Sequence, residues 1–155
     1  MPDRPRTVPD LCRAHTRVAV DSNVFIYLFE GSGSEADRAA EVADAIGEGT
    51  VSGCLATLGL AEILTGPARS GAAQLTERYV EELTSFEHLA LVPLDVDVAR
   101  DAAAIRGASG LSLGDAIHLA SARRFGATVF VTNDRRIRPI DGLTVAYLDE
   151  LLPAG

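Results

Sequence analysis

Four carboxylate residues stand at places where a metal site can be assembled: Asp21, Glu62, Asp115 and Asp134. Grouping carboxylates is unfavourable because their charges repel, so such a cluster requires arginine partners or divalent cations. Ligands that are all oxygen select hard ions such as Mg²⁺ or Mn²⁺. One or two such ions activate water and stabilise the leaving oxygen in phosphodiester hydrolysis, which requires no lysine, cysteine or nucleophilic serine.

Three of these acids also have a purely structural interpretation. Asp21 has the right chemistry to cap a helix that follows it, and Asp134 fits the start of a turn. Ser112 and Asp115 are spaced as in a capping box, in which Asp115 would only satisfy backbone N–H groups. Taken singly, these residues leave both interpretations open.

Glu62 has a different setting. Its neighbours Leu58, Ile63 and Leu64 are apolar, which predicts a largely buried helix. A carboxylate on such a helix is costly unless it is paired. We therefore interpret Glu62 as the residue that favours a shared acidic site over three separate caps.

Short apolar runs alternate with helical patterns along the chain. The predicted strands cover 18–20, 50–55, 89–94, 128–131 and 144–147, and the predicted helices cover 24–29, 34–47, 57–65, 72–86, 95–108 and 113–125. Gly66-Pro67 predicts the end of the third of these helices. The alternation favours an α/β fold with a mostly parallel, covered sheet.

Asp21 and Asp134, the first and last of the four carboxylates in the sequence, come at the ends of predicted strands. Asp21 ends the first strand, and Asp134 comes just after the fourth. If these strands are parallel neighbours, both side chains emerge at the same edge of the sheet. Sites in such sheets gather at the carboxyl ends of the strands, near the point where strand order reverses.

Composition predicts one domain of ordinary size. The 155 residues are 47% hydrophobic, which supports a real core. Residues 1–16 carry three prolines among scattered charges and predict an irregular arm before a domain at 17–152. The two distant cysteines form no metal-binding spacing. Neither a membrane-spanning run nor a secretory leader is present, so we expect a cytoplasmic protein.

The net charge of −8 at first argues against a polyanionic partner. Net charge governs solubility rather than the chemistry of one cleft, however, and basic residues concentrate late in the chain. Four of these basic residues are expected to contact RNA phosphates: Arg123, Arg124, Arg135 and Arg136. For Arg123 and Arg124, which end a predicted helix, the alternative is a favourable interaction with the helix dipole.

Two further residue types narrow the possibilities. The chain contains no lysine, which excludes phospho-receivers and aspartate-nucleophile phosphatases, because both depend on a lysine near the phosphoryl group. His118 lies three residues after Asp115, on roughly the same side of the helix. We interpret it as a structural histidine, with contact to RNA or to a metal as the alternative.

Several segments together resemble the PIN-domain nucleases, and within them the toxins of VapBC-type toxin–antitoxin pairs. The likeness covers about residues 17 to 152. The segments are Val20-Asp21-Ser22-Asn23-Val24, Leu60-Ala61-Glu62-Ile63, the run from Leu113-Gly114-Asp115-Ala116-Ile117-His118 to Ala122, and Val131-Thr132-Asn133-Asp134.

The resemblance implies a PIN-like three-layer α/β/α fold with a five-stranded parallel sheet. It implies a Mg²⁺-dependent endoribonuclease, with Mn²⁺ as a plausible substitute. Asp21 and Asp115 would ligate the metal directly, Glu62 and Asp134 would complete the site, and Thr132 or Asn133 would help by hydrogen bonding. A homodimer and a VapB-like antitoxin that blocks the acidic cleft are also implied. The alternative is a catalytically silent PIN-like module that only binds a protein partner.

Overall fold

Five short apolar runs form a parallel sheet in the computed structural model, which describes residues 4–155. The strands are β1 (Arg17–Val20), β2 (Ser52–Ala56), β3 (Leu89–Val92), β4 (Val129–Thr132) and β5 (Thr144–Tyr147). Their order in the sheet is β3-β2-β1-β4-β5, and every neighbouring pair is parallel. The strand order reverses at β1 and β4, so a crevice is expected where these two strands end.

Helices cover both faces of this sheet, which confirms the predicted three-layer α/β/α fold. Val18 and Val20 of β1 join one apolar cluster, whereas Ala19 joins the other, because alternate strand residues point to opposite faces. The helices of residues 4–155 are α1 (Val8–Ala14), α2 (Ser22–Glu30), α3 (Ser34–Gly47), α4 (Thr57–Arg69), α5 (Ala73–Thr84), α6 (Val96–Ser109) and α7 (Leu113–Phe125), with a 3₁₀ turn at Leu148–Glu150. In this described part, no helix is both long and apolar enough to cross a bilayer.

The prediction of an irregular arm over residues 1–16 is wrong where the structure describes it. A capping box begins α1: Thr7 Oγ1 accepts from the Asp10 amide at 3.2 Å, and the Asp10 carboxylate accepts from the Thr7 amide at 3.2 Å. Val8 and Leu11 are buried in the core. This burial holds a helix that would be too short to persist alone. Residues 1–3 of the predicted arm lie outside the described residues.

The predicted end of α4 at Gly66-Pro67 is also wrong, because the helix continues to Arg69. A proline inside a helix removes one backbone hydrogen bond and disturbs the preceding turn. Pro67 is nevertheless buried on the same side as Ile63, one turn earlier. Packing of this shared stripe therefore outweighs the local preference of proline for a helix end.

Candidate active site

Asp21 lies at the carboxyl end of β1, where the strand order reverses. Its backbone amide still pairs with Val131 O at 2.9 Å. Its carboxylate caps α2 by accepting from the Ser22 amide at 2.7 Å, and it accepts from Thr132 Oγ1 at 2.7 Å. Asp21 is only 5% exposed. This burial raises the pKa of Asp21, although the charge of His118 and the hydrogen bond from Thr132 oppose the shift.

Thr132 and Asn23 support the Asp21 carboxylate, whereas Asn133 does not contact it. Asn23 Nδ2 donates to Asp21 Oδ2 at 3.3 Å. Asn133 instead donates from Nδ2 to Tyr27 Oη at 3.3 Å, which ties the loop after β4 to α2. The contact of Asn23 with Asp21 was not predicted, although a polar residue in the first turn after a capping aspartate was a signal for it.

Glu62 is linked to Asp21 through His118. His118 Nε2 lies 2.5 Å from Glu62 Oε1 and 3.5 Å from Asp21 Oδ1. One potential ligand atom from each of these three residues lies within 4.8 Å of the others. The hydrogen bond from His118 lowers the pKa of Glu62. Burial by itself lowers the pKa of His118, but the surrounding carboxylates raise it above its ordinary value.

The prediction that Glu62 lies on a largely buried helix is wrong, because its side chain is 47% exposed. In α4 the buried positions are confined to a narrow stripe of Gly59, Ile63 and Pro67. Glu62 lies off this stripe. Its place in the site is therefore fixed by contact with His118, and not by burial in an apolar environment.

Gly59 makes room for the histidine ring. A Cβ atom at this position would lie 3.1 Å from His118 Cε1 and 2.6 Å from Leu55 Cδ1. Leu55 is fully buried and His118 is only 3% exposed. A side chain at position 59 would therefore displace one of two groups that have little space to move.

Asp115 lies in the first turn of α7, with its carboxylate half-buried. Its backbone amide donates to Ser112 Oγ at 3.2 Å, so Ser112 is the N-cap. Within residues 4–155 its carboxylate accepts no hydrogen bond, and the reciprocal half of the predicted capping box does not form. Burial lowers the pKa of His118, and the charge of Asp115 is one of those that raise it. Asp115 lies one turn before His118 on α7, but it is not part of the group of close ligand atoms that Asp21, Glu62 and His118 form.

Asp134 is held by Arg136. Arg136 Nη2 donates to Asp134 Oδ2 at 2.8 Å, and Nε donates to Oδ1 at 3.0 Å. This contact lowers the pKa of Asp134 and raises that of Arg136, to which the charges of Asp115 and Asp21 also contribute. Asp134 Oδ1 also accepts from the Arg136 amide at 2.9 Å, so the predicted turn is present.

The other three arginines predicted to contact RNA pair with acids elsewhere. Arg123 and Arg124 lie in the last turn of α7, roughly 12 Å along the helix axis from Asp115. Arg135 lies over the ring of Tyr147, with Cζ 4.2 Å from its centroid. The ion pairs are Arg123–Asp101, Arg124–Asp97, Arg135–Asp149 and Arg135–Glu150. Of the four arginines, Arg136 is the one that borders the acidic site.

Solved structures of similar fold come from toxin–antitoxin complexes. A chain of a toxin–antitoxin complex from Klebsiella pneumoniae is 21% identical, with a TM-score of 0.60 over 82% of this chain and 95% of that one. VapBC2 from Rickettsia felis, bound to a promoter DNA fragment, gives 15% identity and a TM-score of 0.66 over 84% and 98%. DNA-bound VapBC from Salmonella typhimurium is 20% identical, with a TM-score of 0.63 over 85% of this chain and 98% of that one.

The sequence comparisons identify a family. No curated protein matches the chain. The sequence model of the PIN domain, however, matches residues 18–143, a span that includes Asp21, Glu62, Asp115 and Asp134. The family is generally one of nucleases. Because the match covers most of the 155 residues, the chain belongs to the PIN domain family.

Proposed function

We propose that the chain is a metal-dependent endoribonuclease and the toxin of a type II toxin–antitoxin pair. One observation carries the proposal: Asp21 and Glu62, from different parts of the chain, converge on His118 at the carboxyl ends of β1 and β4. Asp115 and Asp134 lie beside this group: Asp115 is one turn before His118 on α7, and the Asp134 amide donates to the Thr132 hydroxyl that holds Asp21. This is the crevice where an open parallel sheet binds ligands.

The donor set fits a hard divalent cation. Asp21 and Glu62 present carboxylate oxygens close to one another, and the Asp115 carboxylate makes no competing hydrogen bond within the part of the chain that the structure describes. These three residues and Asp134 would hold Mg²⁺, or Mn²⁺ in its place. When bound, the ion supplies an activated water and positive charge for the leaving oxygen in phosphodiester hydrolysis.

The remaining residues of the site hold or orient its acids. Thr132 and Asn23 fix the Asp21 carboxylate by donating to Oδ2. Arg136 supplies positive charge beside Asp134 and is 84% exposed, so its guanidinium is accessible to a substrate phosphate. RNA binding by an acidic protein would then depend on the metal and on this one arginine, and not on overall charge.

The proposed partner is a VapB-like antitoxin, and the proposed assembly includes a homodimer of this chain. The support comes from the structural neighbours, which are chains of toxin–antitoxin complexes. Growth arrest on expression, relieved by co-expression of a small reading frame immediately upstream of the gene, is the expected behaviour. Size measurement of the purified chain tests the dimer.

The activity test uses total RNA incubated with purified protein and Mg²⁺ or Mn²⁺, followed by mapping of the new RNA ends. We expect cleavage that is stopped by EDTA and by Asp21→Asn. Asp44→Asn is the matched control, because it removes one exposed aspartate charge on α3 without touching the site. Cleavage by neither ion on several RNAs, with a stable complex still formed with a protein partner, would instead support the catalytically silent binding module.

A further inference from the structure

We propose that His118 is a positioning residue, which donates its Nε2 hydrogen to the Glu62 carboxylate and stays outside the set of metal ligands. The inference deepens the proposed function and rests on it, because holding Glu62 in place matters to catalysis only if Glu62 faces a metal. The donor assignment itself can be measured in the metal-free protein.

The first nitrogen faces only acceptors. His118 Nε2 lies 2.5 Å from Glu62 Oε1 and 3.5 Å from Asp21 Oδ1. Ionised carboxylates accept hydrogen bonds and donate none, so a short contact to Nε2 requires a hydrogen on that nitrogen. A bare nitrogen lone pair at this distance from a carboxylate oxygen would be repelled. The geometry therefore places the hydrogen at Nε2.

The second nitrogen shows why the ring is a poor metal ligand. Nδ1 of His118 is buried and has no hydrogen-bond partner among residues 4–155. A histidine that binds a metal through Nε2 carries its hydrogen on Nδ1, and that hydrogen is almost always donated to a carboxylate, carbonyl or water. Here it would be a buried donor without an acceptor, which is costly. Of the two neutral tautomers, the one with its hydrogen on Nε2 avoids this buried donor.

The ring has little freedom to reverse this arrangement. Gly59 approaches one edge, and the ring of Phe130 lies 5.9 Å away, centroid to centroid, in an edge-on orientation. His118 can therefore fix one oxygen of Glu62 while that side chain remains 47% exposed toward the crevice. The result is an acid that is held in place and still accessible to an ion or its water.

The direct test is long-range ¹H–¹⁵N NMR of the imidazole groups in EDTA-treated protein. The sequence has three histidines, so His15→Gln and His88→Gln suffice to assign the signals of the third. We expect Nε2 of His118 to carry a hydrogen. A pattern with hydrogen only on Nδ1 would overturn the proposal, whatever the protein does with RNA.

A second test separates positioning from ligation with Mn²⁺ as the probe. Pulsed EPR of the Mn²⁺-loaded protein should show no directly coordinated histidine nitrogen, and such a nitrogen would overturn the proposal. Loss of a residue that orients a ligand typically weakens metal affinity roughly 10- to 100-fold, which is the loss expected for His118→Leu. His118→Gln should recover part of the affinity, because its amide N–H can donate from nearly the same place.

A double-variant comparison tests whether His118 acts through Glu62. If it does, the combined His118→Leu and Glu62→Gln variant should bind Mn²⁺ no more weakly than Glu62→Gln alone, whereas additive losses would contradict the proposal. Circular dichroism shows whether each variant folds, and the Gln variant carries the comparison if the Leu variant does not. If the wild-type protein binds no Mn²⁺, the metal in the proposed function is overturned, and the NMR result still decides the donor.

Discussion

Thr132 Oγ1 donates a 2.7 Å hydrogen bond to Asp21 Oδ2 and thereby joins the end of β4 to the end of β1. Thr132 is fully buried, and its hydroxyl also accepts from the Asp134 amide at 3.0 Å. One side chain thus joins the Asp21 carboxylate to the backbone of Asp134, two of the four residues that the sequence predicted as a site. The relationship follows from the adjacency of β1 and β4 in the sheet.

Removing this hydroxyl should destabilise the protein. Thr132→Val keeps the shape but leaves the buried Asp21 carboxylate with one donor fewer, so we expect a loss of about 1–3 kcal/mol in the free energy of unfolding. Urea denaturation measures it. Thr132→Ser should retain most of the stability, and Thr144→Val, at an exposed position, should change it by less than about 0.5 kcal/mol. Equal stability of the Val variant and wild type would contradict this role.

Divalent ions should stabilise the folded protein if the carboxylates form one site. Binding to the folded state alone raises stability by about 2.7 kcal/mol when the ion is present at 100 times its Kd. We therefore expect Mg²⁺ or Mn²⁺ to raise the Tm of the wild type in differential scanning fluorimetry. Asp21→Asn and Glu62→Gln should reduce that rise, while Asp44→Asn should keep it. A rise that is unaffected by either site variant would place the ion elsewhere.

Gly59→Ala should displace His118 and destabilise the protein. The added methyl group would meet Leu55 at 2.6 Å and His118 at 3.1 Å. Overpacking of this kind costs about 1–3 kcal/mol, and displacement of His118 should lower RNA cleavage as well. Gly107→Ala in α6 is the control, since nothing lies within 4 Å of its added Cβ. That change should stabilise the protein by about 0.5–1 kcal/mol through helix propensity.

Arg136→Gln should raise the pKa of Asp134, because the arginine hydrogen bonds hold it below the usual 3.8. A carboxyl with a depressed folded-state pKa stabilises the fold above its unfolded pKa, and the contribution is lost as pH falls through the folded value. As the pH falls below about 4, the variant should therefore lose less stability than the wild type. Titration of the Asp134 carboxyl by ¹³C NMR measures the shift. Arg135→Gln should leave it unchanged, since Arg135 pairs with Asp149 and Glu150.

Thr7→Ala should show that α1 is part of the folded domain. Loss of an N-cap side chain costs about 1 kcal/mol, provided that the helix it caps is packed in the native state, as the burial of Val8 and Leu11 indicates. Thr7→Ser should be close to wild type in thermal unfolding. No difference between the Ala and Ser variants would mean that α1 contributes little to stability.

The sequence by itself determined the local elements and the chemical class of the site. Apolar runs next to capping residues are local signals, so the five strands and the parallel α/β class were predictable. Asp21 and Asp134 were predictable as neighbours of strand ends. The Thr7–Asp10 capping box was also present in the sequence, but seven residues form a stable helix only when a core receives Val8 and Leu11.

Only the tertiary structure decided which groups meet. Glu62 and His118 are 56 residues apart, and no local pattern fixes a contact between two helices at that separation. The position of Glu62 was predicted from apolar neighbours, yet its side chain is half exposed and is held by an imidazole. His118 was interpreted as a structural histidine because its partners are distant in the sequence. They come from α4 and from the end of β1, and only long-range packing brings them together.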